Sequence, residues 1–370
     1  MTMSVAVADW TEIKDFIHQN ASSPDLAAVR NSFSDFLSRT APQDVFKVAG
    51  FLSLAHPFYL PPVDKATADA LTLTLTQFGE LLMRARLTAA KAEQPRVLVA
   101  CMPKSASTFV TNCLQQVMGV PNVALMGASL TRQPLHSMGI TLREQETDEL
   151  ALIQHGCNGV GYVAQHHVRC TPYLCHQLEM YGIRPVVTYR NVFDSFVSLD
   201  EMLVGNRRRL SENFTTDALY FDDGMPDTYA DLDDETRYML LVDRQVAWYL
   251  QFFLSWKRCE ALGLVAPLWV SYEQDFLQNR QGLALRLANF IGTQHVRPEA
   301  LLDVLARNGG EKTDRFNKGV TGRGRRLPES VRARIRAAFE PYRQDFDFSG
   351  ILPDDEALQR PSSASAECVL

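Results

Sequence analysis

Apolar positions recur with helical spacing from residue 10 to about residue 92. Phe33, Phe36 and Leu37 fall at i, i+3 and i+4, Val45, Val48 and Leu52 at i, i+3 and i+7, and the period continues through 65–91. Ser23-Pro24 is a helix-start pair, and His56-Pro57 with Pro61-Pro62 interrupts the region because proline cannot donate to a helical ladder. The pattern predicts a helical extension over 1–94, an element of the kind that packs on the body of the protein or on a second copy in a homo-oligomer.

After Gln94-Pro95 the period changes. Short continuous apolar runs at 97–101, 160–165, 185–189 and 268–271 alternate with amphipathic stretches such as 108–118 and 171–181. Runs without polar alternation suit strands covered on both faces, and their alternation with helices predicts an α/β domain over 95–348, a parallel sheet with helices on both faces. Sheets of this class bind ligands beyond the carboxyl ends of their strands. The segment 206–236 is polar and weakly periodic, and is expected to form a lid over an acceptor site. Its Asp222, Asp223, Asp227, Asp231, Asp233 and Asp234, among Tyr220, Tyr229 and Tyr238, would suit a sugar or another polar alcohol, or simply a solvated acidic loop. The Pro/Ser/Ala/Asp-rich end, 349–370, is expected to be a disordered tail.

Composition narrows the classes. A chain of 370 residues is long enough for one large domain with an appendage. With 37 basic against 43 acidic residues the net charge is -6, which argues against a nucleic-acid partner and makes any basic site local. No apolar run reaches 18 residues and the first residues lack a signal-peptide pattern, so no membrane span and a cytoplasmic location are expected. Seven cysteines, at 101, 113, 157, 170, 175, 259 and 368, form no CxxC pair. They read as reduced, mostly core thiols, with neither disulfide staples nor a zinc site expected. Cys368 stands third from the end and misses the prenylation spacing.

The candidate chemistry begins in RVLVACMPKSASTFV, residues 96–110, where a buried strand opens into a loop of small hydroxyl residues around one lysine. A helix starting at Ser107 or Thr108 directly after such a strand aims backbone N–H groups at whatever lies above the strand. Lys104, Ser105, Ser107 and Thr108 add a cation and hydroxyl donors, making a small cage for an anion. The triphosphate-loop pattern GxxxxGK[ST] is absent. A second stretch, PVVTYRNVFDSFVSLDEM at 185–202, again runs from strand to helix, with Arg190 at the tip and Ser198 eight residues later. Arginine offers a bidentate fork for phosphate, and two such loops suggest a nucleotide carrying phosphate at both ends.

Residues 103–109, PKSASTF, resemble the 5′-phosphosulfate loop PKSGTTW of sulfotransferases that use 3′-phosphoadenosine 5′-phosphosulfate (PAPS). Arg190-Asn191 through Ser198 is similar to their 3′-phosphate motif RNPxDxxVS. YVAQHHVRCTPYL is similar to the strand ending in KTHLP, LWVSYEQDF to the YED segment, and DRFNKGVTGRGRR to the RKGxxGDW loop. The motifs stand in family order from 97 to 326. The resemblance implies a P-loop-like, nucleotide-kinase-like sulfotransferase fold. It assigns Lys104 to the bridging oxygen, 105–109 (Ser105, Ala106, Ser107, Thr108, Phe109) to the 5′-phosphate, and Arg190, Ser198, Asn317, Lys318 and Gly319 to the 3′-phosphate. It places Tyr272 at the adenine, makes Lys104, Ser198 and a histidine the catalytic set, and requires no metal. The product would be the desulfated nucleotide, PAP.

Ala106 stands where the family has glycine, which requires a negative φ there or an altered loop. Phe109 replaces tryptophan, and Asn317 replaces an arginine, a loss that Arg323, Arg325 and Arg326 are placed to offset. Two histidines compete for the base. Alternation on a strand turns His166 and His167 to opposite faces, and the 23 residues from His167 to Arg190 match the family spacing, so His167 is the choice. His166 then reads as a core or supporting histidine, His155 and His176 as surface residues, and a lid carboxylate stays open as an alternative base. The rival functions are a Mg²⁺-dependent phosphoryl-transfer kinase on a related fold and a nucleotide-binding scaffold without catalysis.

Overall fold

The computed structural model describes residues 12, 15–16, 19–20, 25–41, 75–125, 146–210, 225–307 and 322–353. The chain divides into two units. One gathers residues 1–91 with 124–138 and 147–157. In it, helix α1 (Leu26–Ser38) buries Phe33 and Phe36, whose rings meet Phe16 at 5.5 and 4.3 Å, so the apolar stripe read from the sequence is a packed face. Helix α2 (Leu75–Lys91) lies against a later helix that also belongs to this unit, α4 (Glu149–Gly156). Gly156 allows the contact, since a Cβ there would stand 2.6 Å from the Ala89 Cβ. Arg86 Nε donates to Glu149 Oε1 at 2.7 Å across the same pair. The unit is therefore not the 1–94 extension by itself. Its proline-broken middle, 42–74, lies outside the described residues.

The second unit holds the sheet. Strands β1 (Arg96–Cys101), β2 (Asn122–Val123), β3 (Tyr162–His166), β4 (Arg184–Tyr189) and β5 (Leu268–Ser271) are all parallel, in the order β2-β3-β1-β4-β5. Four of them match the apolar runs in the sequence; the two-residue β2 is too short to leave a pattern. Every residue of β1 is buried, so both of its faces are covered. On one face Val97, Val99, Val163, Val186 and Val270 pack with Leu114 of α3 (Ser107–Met118), with Leu283 and Leu287 of a helix after β5, and with Leu301 and Leu305 of the next. Leu98, Ala100, Ala164 and Val187 are fully buried on the other face.

Strand order decides where a ligand can sit. The chain leaves β1 for the edge at β2, returns to β3, then crosses β1 to reach β4. That reversal opens a crevice at the carboxyl end of β1, with the tips of β3 and β4 on either side. The loop 102–106, the residues after His166 and the residues after Tyr189 all converge there.

Two expectations need correction. Residues 206–210 belong to α6 (Val192–Leu210), 227–231 form a 3₁₀ turn, and α7 (Asp234–Ala261) starts at Asp233, whose side chain caps Thr236 N at 3.0 Å. Tyr229 and Tyr238 are buried, not arrayed on a lid. Tyr229 Oη donates to Asp200 Oδ1 at 2.7 Å and Arg237 Nε donates to the same oxygen at 2.8 Å. A buried ion pair looks like solvated polarity in sequence, which is why this half of the segment misleads. Tyr220, Asp222 and Asp223 lie outside the described residues. Residues 349–353 do not belong to the expected tail. Ile351 is buried and its carbonyl accepts from Val192 N at 2.8 Å, closing on the start of α6, while 354–370 lie outside the described residues.

Candidate functional site

The loop after β1 is built on alternating backbone handedness. Lys104 has φ 67° and Ala106 φ 62°, the two left-handed non-glycine residues among those described. Of the two expectations for Ala106, a negative φ or an altered loop, the negative φ is excluded: alanine takes a left-handed conformation that favours glycine and bears the strain. Alternation of this kind turns successive N–H groups inward as an anion-binding nest. Ala106 is also the residue that caps α3, and it makes no side-chain cap hydrogen bond to the first-turn amides.

The hydroxyls divide by role. Ser105 is buried; its Oγ lies 2.7 Å from Met102 O and 2.8 Å from Thr188 Oγ1, pinning the turn to β4. Ser107 Oγ and Thr108 Oγ1 accept from Gln165 Nε2 at 2.9 and 3.3 Å, so β3 fixes the start of α3. Lys104 Nζ reaches over to Met202 Sδ of α6 at 3.6 Å, a weak acceptor for an ammonium. Phe109 lies edge-on to Phe276 at 4.9 Å, Phe276 stacks on Tyr272 at 5.5 Å, and the Arg190 guanidinium covers Tyr272 at 4.1 Å. The loop after β1 and the start of the segment after β4 are thereby joined through one aromatic row.

Arg190 is only 5 % exposed. Its Nη1 donates to the Lys104 carbonyl at 3.2 Å, and carboxylates of Asp194 and Glu273 stand 3.7 and 3.8 Å away. It clamps the strained loop as well as presenting charge. Burial pushes the Glu273 carboxyl up to about 7 in spite of Arg190. Asn191 starts α6, its Oδ1 accepting from Phe193 N at 2.9 Å, and Ser198 is buried on that helix two turns on. Tyr272 is buried, on the π-helical turn that follows β5.

His166 ends β3 and is buried; His167 stands just beyond the strand and is half-buried. His167 Nδ1 lies 2.8 Å from the Cys101 carbonyl, and its ring meets Trp248 edge-on at 6.1 Å. A carbonyl can only accept, so Nδ1 carries the hydrogen and Nε2 keeps the lone pair. Burial, with Lys104 nearby adding to it, takes the imidazole down to about 4, against the pull of the Cys101 carbonyl. Burial takes the Cys101 thiol up to about 12, so it stays a neutral neighbour. His176 is exposed; His155 is half-buried in the other unit, where burial lowers its pKa, so it is not the surface residue expected.

The motif reading missed several residues. Fully buried Asp194 accepts from Gly322 N at 2.9 Å and Gly324 N at 2.7 Å, tying the end of the later glycine-rich loop to α6. A Cβ on Gly324 would stand 2.4 Å from the Phe193 Cβ, so only glycine fits. Gln165, Glu273 and Tyr249, whose Oη donates to the Pro103 carbonyl at 3.3 Å, complete the frame. The aspartate of the RNPxDxxVS pattern falls on Asp194, but it was given no role there. Arg323 ion-pairs with Glu201, as does Arg326 at 3.6 Å, which takes both into a structural contact. Asn317, Lys318 and Gly319 lie outside the described residues. In comparisons with known proteins, no family model and no curated protein matches this chain.

Proposed function

We propose that this protein is a PAPS-dependent sulfotransferase on a P-loop-like fold, transferring a sulfuryl group to a hydroxyl of a carbohydrate or another polar alcohol. One observation carries the proposal. The left-handed loop at Lys104 and Ala106, the Nδ1-tethered His167 and the buried Arg190 share the tips of three adjacent strands, the residues that the sequence resemblance assigns to this chemistry.

The donor supplies an activated sulfuryl group and a leaving phosphate. The α3 amides, with Ser107 and Thr108, hold the 5′-phosphate; Ser105 shapes the turn rather than reaching the ligand. Lys104 Nζ, which lies 3.6 Å from Met202 Sδ, supplies the positive charge that offsets the charge on the departing oxygen. His167 Nε2 takes the acceptor's proton, and the Cys101 carbonyl orients the ring for it. Arg190 and Ser198 face the 3′-phosphate. Glu273, able to take up a proton near pH 7, leaves Arg190 charge to spend on that group.

The test needs no knowledge of the acceptor. Calorimetric titration with PAP in the absence of metal is expected to show binding that Arg190→Ala removes. Binding of Mg²⁺-ATP without PAP would overturn the proposal in favour of a kinase, whereas PAP binding with no transfer to any acceptor would favour a scaffold.

A further inference from the structure

Three thiols meet behind the His167 loop. Cys170 closes that loop, Cys175 lies in the second turn of α5 (Pro172–Met180), and Cys259 lies in the last turn of α7. Their Sγ atoms are all within 4.8 Å of one another, with Cys170 and Cys175 at 3.3 Å. None of the three is more than 5 % exposed. The backbone around them is fixed independently of the sulfurs. Cys170 N donates to Ser255 Oγ at 3.0 Å, Trp256 Nε1 to the Val168 carbonyl at 3.0 Å, and Leu174 N to the Thr171 Oγ1 cap at 3.0 Å. The donor set is therefore preorganised by contacts that do not involve sulfur.

Metal–sulfur bonds of about 2.3 Å put thiolate sulfurs roughly 3.8–4.0 Å apart, inside the range these three already span. Among the described residues no histidine, carboxylate or fourth cysteine joins the group. An all-sulfur set selects soft ions over magnesium or calcium. We propose that Cys170, Cys175 and Cys259 form a three-thiolate site for a thiophilic d¹⁰ cation, Cu⁺ or Zn²⁺, that staples the loop carrying His167 to α7. Three donors suffice for Cu⁺ as they stand; Zn²⁺ takes an added exogenous ligand. Zn²⁺ with three thiolates, or Cu⁺ with two thiolates and one thiol, leaves one net negative charge, and the positive end of the α5 dipole lies beside it. Binding breaks two or three S–H bonds, forms the sulfur–metal bonds and releases those protons to solvent. Without metal, burial keeps the Cys170 and Cys175 thiols protonated, the latter up to about 11, so uptake strengthens as pH rises. Spacing concealed the site because the third cysteine is 84 residues beyond the second.

The reduced full-length chain is exposed anaerobically to Zn²⁺ or Cu⁺ in separate arms, stripped of loose metal with a weak chelator, and assayed for metal per chain. About one equivalent is expected in at least one arm, lost in each of Cys170→Ala, Cys175→Ala and Cys259→Ala and kept in Cys157→Ala, which alters the exposed thiol. Absence of retained metal from the native chain in both arms would overturn the proposal, whether or not the variants fold. Retention undiminished in folded variants would do the same. So would a native Cys170–Cys175 disulfide whose reduction restores no metal binding, since the pair would then be a redox element.

Discussion

A histidine that donates Nδ1–H to a carbonyl has one nitrogen left for chemistry, and its usefulness as a base depends on when that nitrogen is protonated. His167 is held neutral down to about 4 by burial and Lys104. As the base it should sustain kcat/KM on the acid side to near pH 5, where an ordinary histidine base would already have lost activity below about 6.5. The pH–rate profile checks this, and an acid limb near 6.5 that persists in His167→Ala would assign the proton to another group. The same shift makes the folded state bind fewer protons than the unfolded chain between about 4 and 6.5, so His167 withdraws stability as pH falls through that window. Ala106 poses a separate question of strain. Its φ of 62° costs a β-carbon clash that glycine avoids, so Ala106→Gly should raise the unfolding free energy by about 0.5–1 kcal/mol, glycine's greater unfolded freedom offsetting part of the relief. Denaturant melts read the sign directly, and destabilisation would mean that alanine's methyl packs to more effect than the strain.

Helix α6 links the site to the glycine turn at 322–324. Asp194, one turn into it, accepts from two glycine amides and faces Arg190. Asp194→Ala leaves those donors and a buried guanidinium without their acceptor, and should cost about 3 kcal/mol, while Asp194→Asn keeps one acceptor oxygen and should cost less. Chemical denaturation of both variants tests the clamp, and a loss below about 1 kcal/mol for Asp194→Ala would remove it. At this scale the sequence was readable where periodicity is local. The apolar runs marked β1, β3, β4 and β5, and the Phe33/Phe36 stripe marked α1. Legibility failed where polarity was buried: Asp200, Arg237 and Tyr229 form a core ion-pair network inside a stretch that reads as an exposed lid.

For the molecule as a whole, the proposed nucleotide, held at three strand tips, would couple its binding to the sheet's unfolding. PAP at a hundredfold excess over its Kd should raise the unfolding free energy by about 2.7 kcal/mol, and Arg190→Ala should abolish the rise. Thermal denaturation with and without PAP measures it; an unchanged midpoint alongside calorimetric binding would mean that binding is not coupled to this unfolding transition, against the proposed site. Four of the five strands, the candidate loops and their residue types were determined by the sequence alone, because apolar period, loop chemistry and motif spacing are properties of neighbours along the chain. Only the tertiary structure decided that β1 lies between β3 and β4, that Arg190 spends part of its charge on Asp194 and Glu273, that Ala106 takes a glycine's conformation, and that Cys170, Cys175 and Cys259 meet. Those facts depend on strand order, burial and close approach between distant segments, and no local pattern encodes them.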